Sequence, residues 1–290
     1  MKLIVAEKPS VGSSIAKVVG ANTKENGCIS GNGYIVSWCV GHLVGLCNAD
    51  DYDPKYQKWD IKDLPIIPTT WKTKVLKNTT KQFAILKKLM NDKRVDELIC
   101  ATDAGREGEL IFKLVYDKIA CKKPVKRLWI SSMEDKAIKE GMQNLKDASF
   151  YHNTYLSAMA RAKSDWLIGI NATRFYSCLY NNKLRSVNVG RVMSPTLAMI
   201  VKRYQENTNF TSVPFFNIVA KNKDLEIKSI EKWDKKEEAN NILSKISNSK
   251  LICTRKDIKQ KEARSPLPYD LTTLQREANR IYGLSAQKTL

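Results

Sequence analysis

Carboxylates and cations stand close together at two places in this 290-residue chain. At one, the apolar run Leu98-Ile99-Cys100-Ala101-Thr102 ends in Asp103. Ala104-Gly105-Arg106-Glu107-Gly108-Glu109 then carries a glycine turn, a base and two more acids, before Leu110-Ile111-Phe112 resumes an apolar helical pattern. At the other, Lys2-Leu3-Ile4-Val5-Ala6 runs into Glu7, Lys8, Pro9 and Ser10. Both read as a buried strand, a tight turn and a helix start. In α/β sheets, ligands bind at the carboxyl ends of parallel strands. Carboxylates gathered there suit Mg²⁺, which takes oxygen ligands and keeps several waters for phosphate substrates. If the two strands are parallel neighbours, Glu7 and Asp103 meet at one sheet edge with Lys8 and Arg106 beside them. That set suits phosphoryl chemistry, in which metal and cations neutralise charge on the transferring group. The same residues also fit a plainer reading, two polar strand-to-helix turns with solvated acids. Glu107, at a helix start, is a favourable macrodipole charge in either case.

These side chains need an α/β scaffold, and residues 1–150 alternate strand-like and helix-like segments. Leu3–Ala6, Tyr34–Cys39, Leu98–Thr102 and Arg127–Ile130 are the expected strands of a mainly parallel sheet. Ser10 is the expected N-cap of the first helix, and Ser131-Ser132-Met133-Glu134 has the spacing of a capping box before a helix over Ala137–Leu145. Residues 151–210 read as helical: Leu156, Met159, Ala160, Trp166, Leu167 and Ile170 recur at helical spacing, and Pro195 is expected to open a further helix over Thr196–Val201. Residues 211–268 change character. Phe215–Ala220, Leu225–Ile230 and Leu251–Lys256 are expected strands, Lys235–Ile246 a charged helix and Gln260–Pro268 a basic linker, together part of a β-rich domain. Residues 269–290 begin another helical domain, with a capping-box pattern at Thr272-Thr273-Leu274-Gln275 and a stop at Gly283.

Composition narrows the function. Lysine and arginine number 49 against 30 aspartates and glutamates, a net charge of +19. This favours a polyanionic partner, nucleic acid first, bound through salt-sensitive phosphate contacts. Charge alone does not separate DNA from RNA, and a basic surface kept for solubility has the same composition. The start is strand-like and carries no signal peptide pattern, and no apolar stretch reaches membrane-spanning length. The 7 cysteines are scattered without a C-x-x-C pair, so a zinc site is not expected and reduced thiols in a cytoplasmic protein are. No phosphate-binding P-loop pattern is present, so no nucleotide cofactor is expected.

AEKPS at residues 6–10 and TDAGREGE at 102–109 resemble the Toprim domain of type IA DNA topoisomerases, the topoisomerase III branch in particular. Further segments follow in the family's order: GHL at 41–43, YDPKYQKW at 52–59, VKRLWISSMEDKAI at 125–138, ARAKSDWLIGINATR at 160–174, SVNVGRVMSPTL at 186–197 and PLPYDLTTLQREA at 266–278. So many motifs in register are specific where one alone would be weak. The resemblance implies a Toprim-type α/β domain, then a helical domain and part of a β-rich one. It implies that Glu7, Asp103 and Glu107 hold Mg²⁺ and that Glu7, Lys8 and Glu107 are catalytic, with Lys8 steadying the scissile phosphate. It places His42, Arg161, Asp165, Arg174, Ser186, Gly190 and Arg191 along DNA, single-stranded segments in particular. Guanidiniums grip phosphates bidentately, although Arg161 and Asp165 are also spaced for an ordinary i,i+4 salt bridge. Trp59, Trp129 and Trp166 are candidates for stacking on bases and equally for the core.

The implied reaction is cleavage of one DNA strand by a tyrosine, passage of the other strand and resealing, without ATP. Two positions depart from the family pattern. Gly105 stands where many relatives have a second aspartate, so a second metal would need Glu107, Glu109 or water. Met193 stands where many have glutamine. None of the 11 tyrosines has the family's Tyr-x-x-Arg-Thr-Asp-Ser setting, so the chain is expected to stop before its nucleophile. A binding module without relaxation is the alternative function. Other Toprim enzymes, primases and OLD-type nucleases, lack the downstream motifs seen here.

Overall fold

The computed structural model describes residues 1–180, 186–222, 225–250, 252–255, 257–258, 260–262 and 265–289. The chain divides into two compact units, Met1–Asn209 and Phe210–Leu290.

The first unit is built on one mixed sheet. Its strands are β1 (Lys2–Ala6), β2 (Thr23–Glu25), β3 (Cys28–Gly31), β4 (Tyr34–Trp38), and, after a separate antiparallel pair of β5 (Val44–Leu46) with β6 (Thr73–Val75), β7 (Glu97–Ala101), β8 (Val125–Arg127) and β9 (Lys146–Asp147). The order across the sheet is β2-β3-β4-β1-β7-β8-β9. The central neighbours β4, β1, β7 and β8 pair in parallel, and antiparallel strands flank them on both sides. The helices are α1 (Pro9–Val19), α2 (Thr80–Met90), α3 (Arg106–Ile119), α4 (Asp135–Gln143), α5 (His152–Leu179) and α6 (Met193–Thr208).

The unbroken apolar character of β1 and β7 follows from burial on both faces. Leu3 and Val5 of β1 join Leu98 and Cys100 of β7 in a core completed by Leu110, Ile111 and Val115 of α3 and by α2. Ile4, Ala6, Ile99 and Ala101 turn the other way, onto Ile15 and Val19 of α1 and Ile138 of α4. The helices that follow β1 and β7 therefore leave toward opposite faces. Adjacent parallel strands that part in this way open a crevice at their carboxyl ends. That is where Glu7 and Asp103 lie.

Element starts differ from expectation in three places here. Pro9 occupies the first turn of α1 with Lys8 as N-cap, so Ser10 lies inside the helix; proline there has its φ preset and no N–H to satisfy. α4 starts at Asp135 with Glu134 as N-cap and without the expected capping box; Ser132 accepts from the Glu134 amide at 3.3 Å instead. β8 begins two residues before the expected strand and ends at Arg127, because Val125 pairs with Leu98.

The second unit holds the antiparallel pair β10 (Val219–Asn222) and β11 (Leu225–Lys228), a bridge between Phe216 and Trp233, and helices α7 (Lys236–Ile246), α8 (Leu271–Tyr282) and α9 (Ala286–Thr289). α8 is capped by Asp270, which accepts from the Thr273 amide at 2.7 Å, rather than by the threonines, and it ends at left-handed Gly283 as expected. Residues 252–255 form no strand; Leu251 and Lys256, the ends of the strand expected there, lie outside the described residues, as do Ala263 and Arg264 of the linker.

Candidate active site

Glu7 is the first residue beyond β1 and Asp103 the second beyond β7, in strands paired residue for residue from Lys2↔Glu97 to Ala6↔Ala101. Glu7 is 9% exposed, and its Oε2 accepts from the Asp103 amide at 3.1 Å. Asp103 is exposed, as is Lys8, which follows Glu7 in the chain. The loop then doubles back sharply. The Gly105 amide donates to the Asp103 carbonyl at 2.9 Å, and the buried Thr102 hydroxyl donates to the Gly108 carbonyl at 2.8 Å. A Cβ on Gly108 would lie 2.1 Å from the Asp103 carbonyl oxygen, so only glycine fits. A Cβ on Gly105 would meet nothing within 4 Å.

Glu107, exposed in the first turn of α3, faces the GHL loop, where His42 Nε2 stands 2.7 Å from its Oε1. Glu109 is not free for a metal. It is buried and pairs with Arg127, itself 1% exposed. The Arg127 guanidinium also donates to the carbonyls of Cys100 at 3.1 Å, Thr102 at 2.8 Å, Asp103 at 2.8 Å and Leu128 at 2.6 Å. Two acids of the expected cluster thus sit together, and the other two are engaged elsewhere. Among the described residues no three His, Cys, Asp or Glu side chains converge as metal ligands. Glu7 and Asp103 still fit Mg²⁺, which is usually held by one or two carboxylates, with water and phosphate oxygens completing the shell.

From His42 and Glu107 a groove runs along α5. Its first cavity, about 460 Å³, is lined by those two residues and by Leu46, Arg161, Asp165 and Trp166. A second, about 490 Å³, continues from Asp165 and Trp166 to Trp59, Thr173, Arg174 and Asn188. Asp165 links the two sides of the groove. Arg191 clasps it through Nε at 2.8 Å and Nη2 at 3.2 Å, with Arg161 4.0 Å away, and the Arg191 hydrogen bonds hold its carboxyl below the ordinary carboxylate range. The segment before Arg191 is pinned to α5 by Ser177, which accepts from the Val187 amide at 2.8 Å, and by Thr173, which accepts from the Val189 amide at 3.0 Å. Ser177 and Thr173 carry no sequence signal that separates them from the other polar residues of α5.

The remaining expected residues are placed as follows. Arg174 is buried with its guanidinium 5.2 Å from the Trp59 ring centre, and burial lowers its pKa. Ser186 is exposed and donates to the Asn188 side chain at 2.7 Å. Gly190 donates to the Ser194 hydroxyl at 3.1 Å, and Met193, the first residue of α6, is exposed. Trp166 donates to the Cys47 carbonyl at 2.8 Å and packs edge-on against Trp71. Trp129 stacks on Tyr151 at 4.3 Å. A third cavity, about 370 Å³, backs onto Cys100 and Glu109 away from the groove.

Residues 2–133 match the family model described as "Toprim domain", and residues 149–290 match the one described as "DNA topoisomerase". The chain belongs to the type IA DNA topoisomerases. Within that family it is 44% identical over 294 residues to a DNA topoisomerase 3 of Bacillus cereus and 42% identical to that of Bacillus subtilis, covering 99% of this chain in each comparison. It spans 40% of the length of either relative. The fold is also that of full-length topoisomerase I from Thermotoga maritima, with a TM-score of 0.64 at 23% identity, over 99% of this chain and 44% of that one. The Toprim match spans β1 and β7, whose carboxyl ends border the crevice.

Proposed function

We propose that this chain carries the Mg²⁺-binding and single-strand-holding part of an ATP-independent DNA topoisomerase. The observation that carries the reading is the contact between Glu7 and the Asp103 amide at the carboxyl ends of adjacent parallel strands. In this reading residues 1–150 are the Toprim domain, 151–210 the helical groove domain, 211–268 part of a β-rich domain and 269–290 the start of the next helical domain. Five cysteines buried as free thiols suit a reducing, cytoplasmic setting.

Glu7 and Asp103 would hold the metal. When bound, Mg²⁺ supplies positive charge against the phosphate oxygens. Lys8 adds a point charge beside the scissile phosphate. Arg161 and Arg191 track the backbone of a single strand, and Asp165 keeps their guanidiniums in place between encounters. A tyrosine from outside these residues attacks phosphorus, forming a 5′-phosphotyrosyl bond as the bond to the 3′ oxygen breaks. The hydrogen-bonded pair His42–Glu107 is the candidate to pass a proton from the attacking tyrosine hydroxyl to that leaving oxygen. Resealing reverses the step. The phosphodiester energy is kept in the covalent link, so no ATP is consumed.

Asp103→Ala in the whole topoisomerase is expected to abolish Mg²⁺-dependent relaxation of supercoiled plasmid and to leave binding of a single-stranded oligonucleotide largely intact. Wild-type relaxation by that variant at limiting Mg²⁺ would contradict the assignment. The 290-residue chain alone is expected to form no denaturant-resistant adduct with a labelled oligonucleotide.

A further inference from the structure

Arginine is almost never fully buried without partners, because its charge is costly to take out of water. Arg127 is 1% exposed. A core ion pair alone would need only Glu109, and such pairs are often replaceable by apolar side chains at little cost. Arg127 does more than pair. Its donors reach the carbonyls of Cys100, Thr102 and Asp103 at the end of β7 and of Leu128 beyond β8, while Nε holds Glu109 on α3. One guanidinium therefore ties two strands and a helix at the point where the crevice opens. The loop it grips has no slack, since the Asp103 carbonyl is packed against Gly108 and the Asp103 amide is bonded to Glu7.

We infer that Arg127 is a positioning residue for the Glu7–Asp103 site, a clasp that fixes the backbone bearing Asp103 before metal or DNA arrives. This inference rests on the metal-binding reading of that site. Lysine cannot replace it, because an ammonium is a point charge that cannot span carbonyls on two strands and a carboxylate together. Partners that orient metal-binding residues typically change metal affinity by about 10–100-fold when removed.

The test compares the 290-residue wild type with Arg127→Lys and Glu109→Gln. Amide hydrogen exchange is read at Asp103, Gly105 and Glu109 without metal, and Mg²⁺ affinity by titration. Arg127→Lys is expected to lose about tenfold in protection at the Asp103 and Gly105 amides and about tenfold in Mg²⁺ affinity. The amides of β1 and metal-free binding of a single-stranded oligonucleotide should stay as in wild type. Native protection at those amides together with wild-type Mg²⁺ affinity would overturn the clasp. Should Arg127→Lys fail to fold, Glu109→Gln, which keeps an acceptor for Nε and loses the charge, decides it. A smaller loss in the same two readouts supports the clasp, and no change in either overturns it. A wild-type chain that takes up no Mg²⁺ counts against the metal site, and amide protection then judges the clasp alone.

Discussion

Gly105 and Gly108 lie three residues apart in one loop and have opposite demands. A Cβ at Gly108 would collide with the Asp103 carbonyl at 2.1 Å, whereas a Cβ at Gly105 meets open space in extended backbone that any residue adopts. Gly108→Ala is expected to destabilise the chain by about 2 kcal/mol in denaturant unfolding, as overpacking does, and Gly105→Ala to leave it near wild type. Gly105→Asp adds a carboxylate beside Asp103 and should raise Mg²⁺ affinity in a calorimetric titration; unchanged affinity would mean the added acid points away from the site. Glu7 and Asp103 were legible in the sequence because an acid ending an apolar run marks a strand end. Gly108 and Arg127 were not. The need for glycine arises from a carbonyl folded back from five residues earlier. The use of Arg127 depends on carbonyls from two strands whose pairing no local pattern states. Glu109 looked like a spare ligand until burial turned it onto Arg127.

At the scale of elements, α5 and the 186–191 segment work as a pair. The segment is held by backbone donors to Ser177 and Thr173 and by the Arg191–Asp165 clasp. Hydrogen bonding from Arg191 lowers the Asp165 pKa. The clasp is therefore fully present above the ordinary carboxylate value, about 4, and is lost as pH falls through the lowered folded value. A carboxyl titration followed by NMR should find the Asp165 midpoint rising toward the ordinary value in Arg191→Ala; an unmoved midpoint would show that the pair is not formed in solution. The existence and type of the central strands and of the helices other than α2 and α9 were readable because periods of 3.6 and long apolar runs survive in a single sequence. Their first residues were less so. Pro9 and Asp270 won over the serine and threonine caps, the former by its fixed φ and the latter by reaching the Thr273 amide. The strand expected over Leu251–Lys256 starts from a short apolar run with no burial at its described residues to enforce it: Ile252 is 80% exposed.

Over the whole molecule, the net charge of +19 would supply long-range attraction toward the proposed DNA strand, with the groove as its proposed path. Binding of a single-stranded oligonucleotide should weaken linearly in log Kd against log salt, and Arg161→Ala should reduce the magnitude of that slope by roughly 1. A slope unchanged by Arg161→Ala would remove it from the phosphate path. The charge was visible in composition. The route it serves was not, because the groove is assembled from the GHL loop, α3 and α5, which are far apart in sequence. A divalent ion is proposed to bind where β1 and β7 end. The most direct measurement is hydroxyl-radical cleavage of the chain with Fe²⁺ in place of Mg²⁺, mapped by mass spectrometry. Backbone cuts are expected only in the neighbourhoods of Glu7 and Asp103, suppressed by excess Mg²⁺ and absent in Asp103→Ala. Cuts elsewhere in the chain, or cuts at these positions that Mg²⁺ does not suppress, would contradict that site.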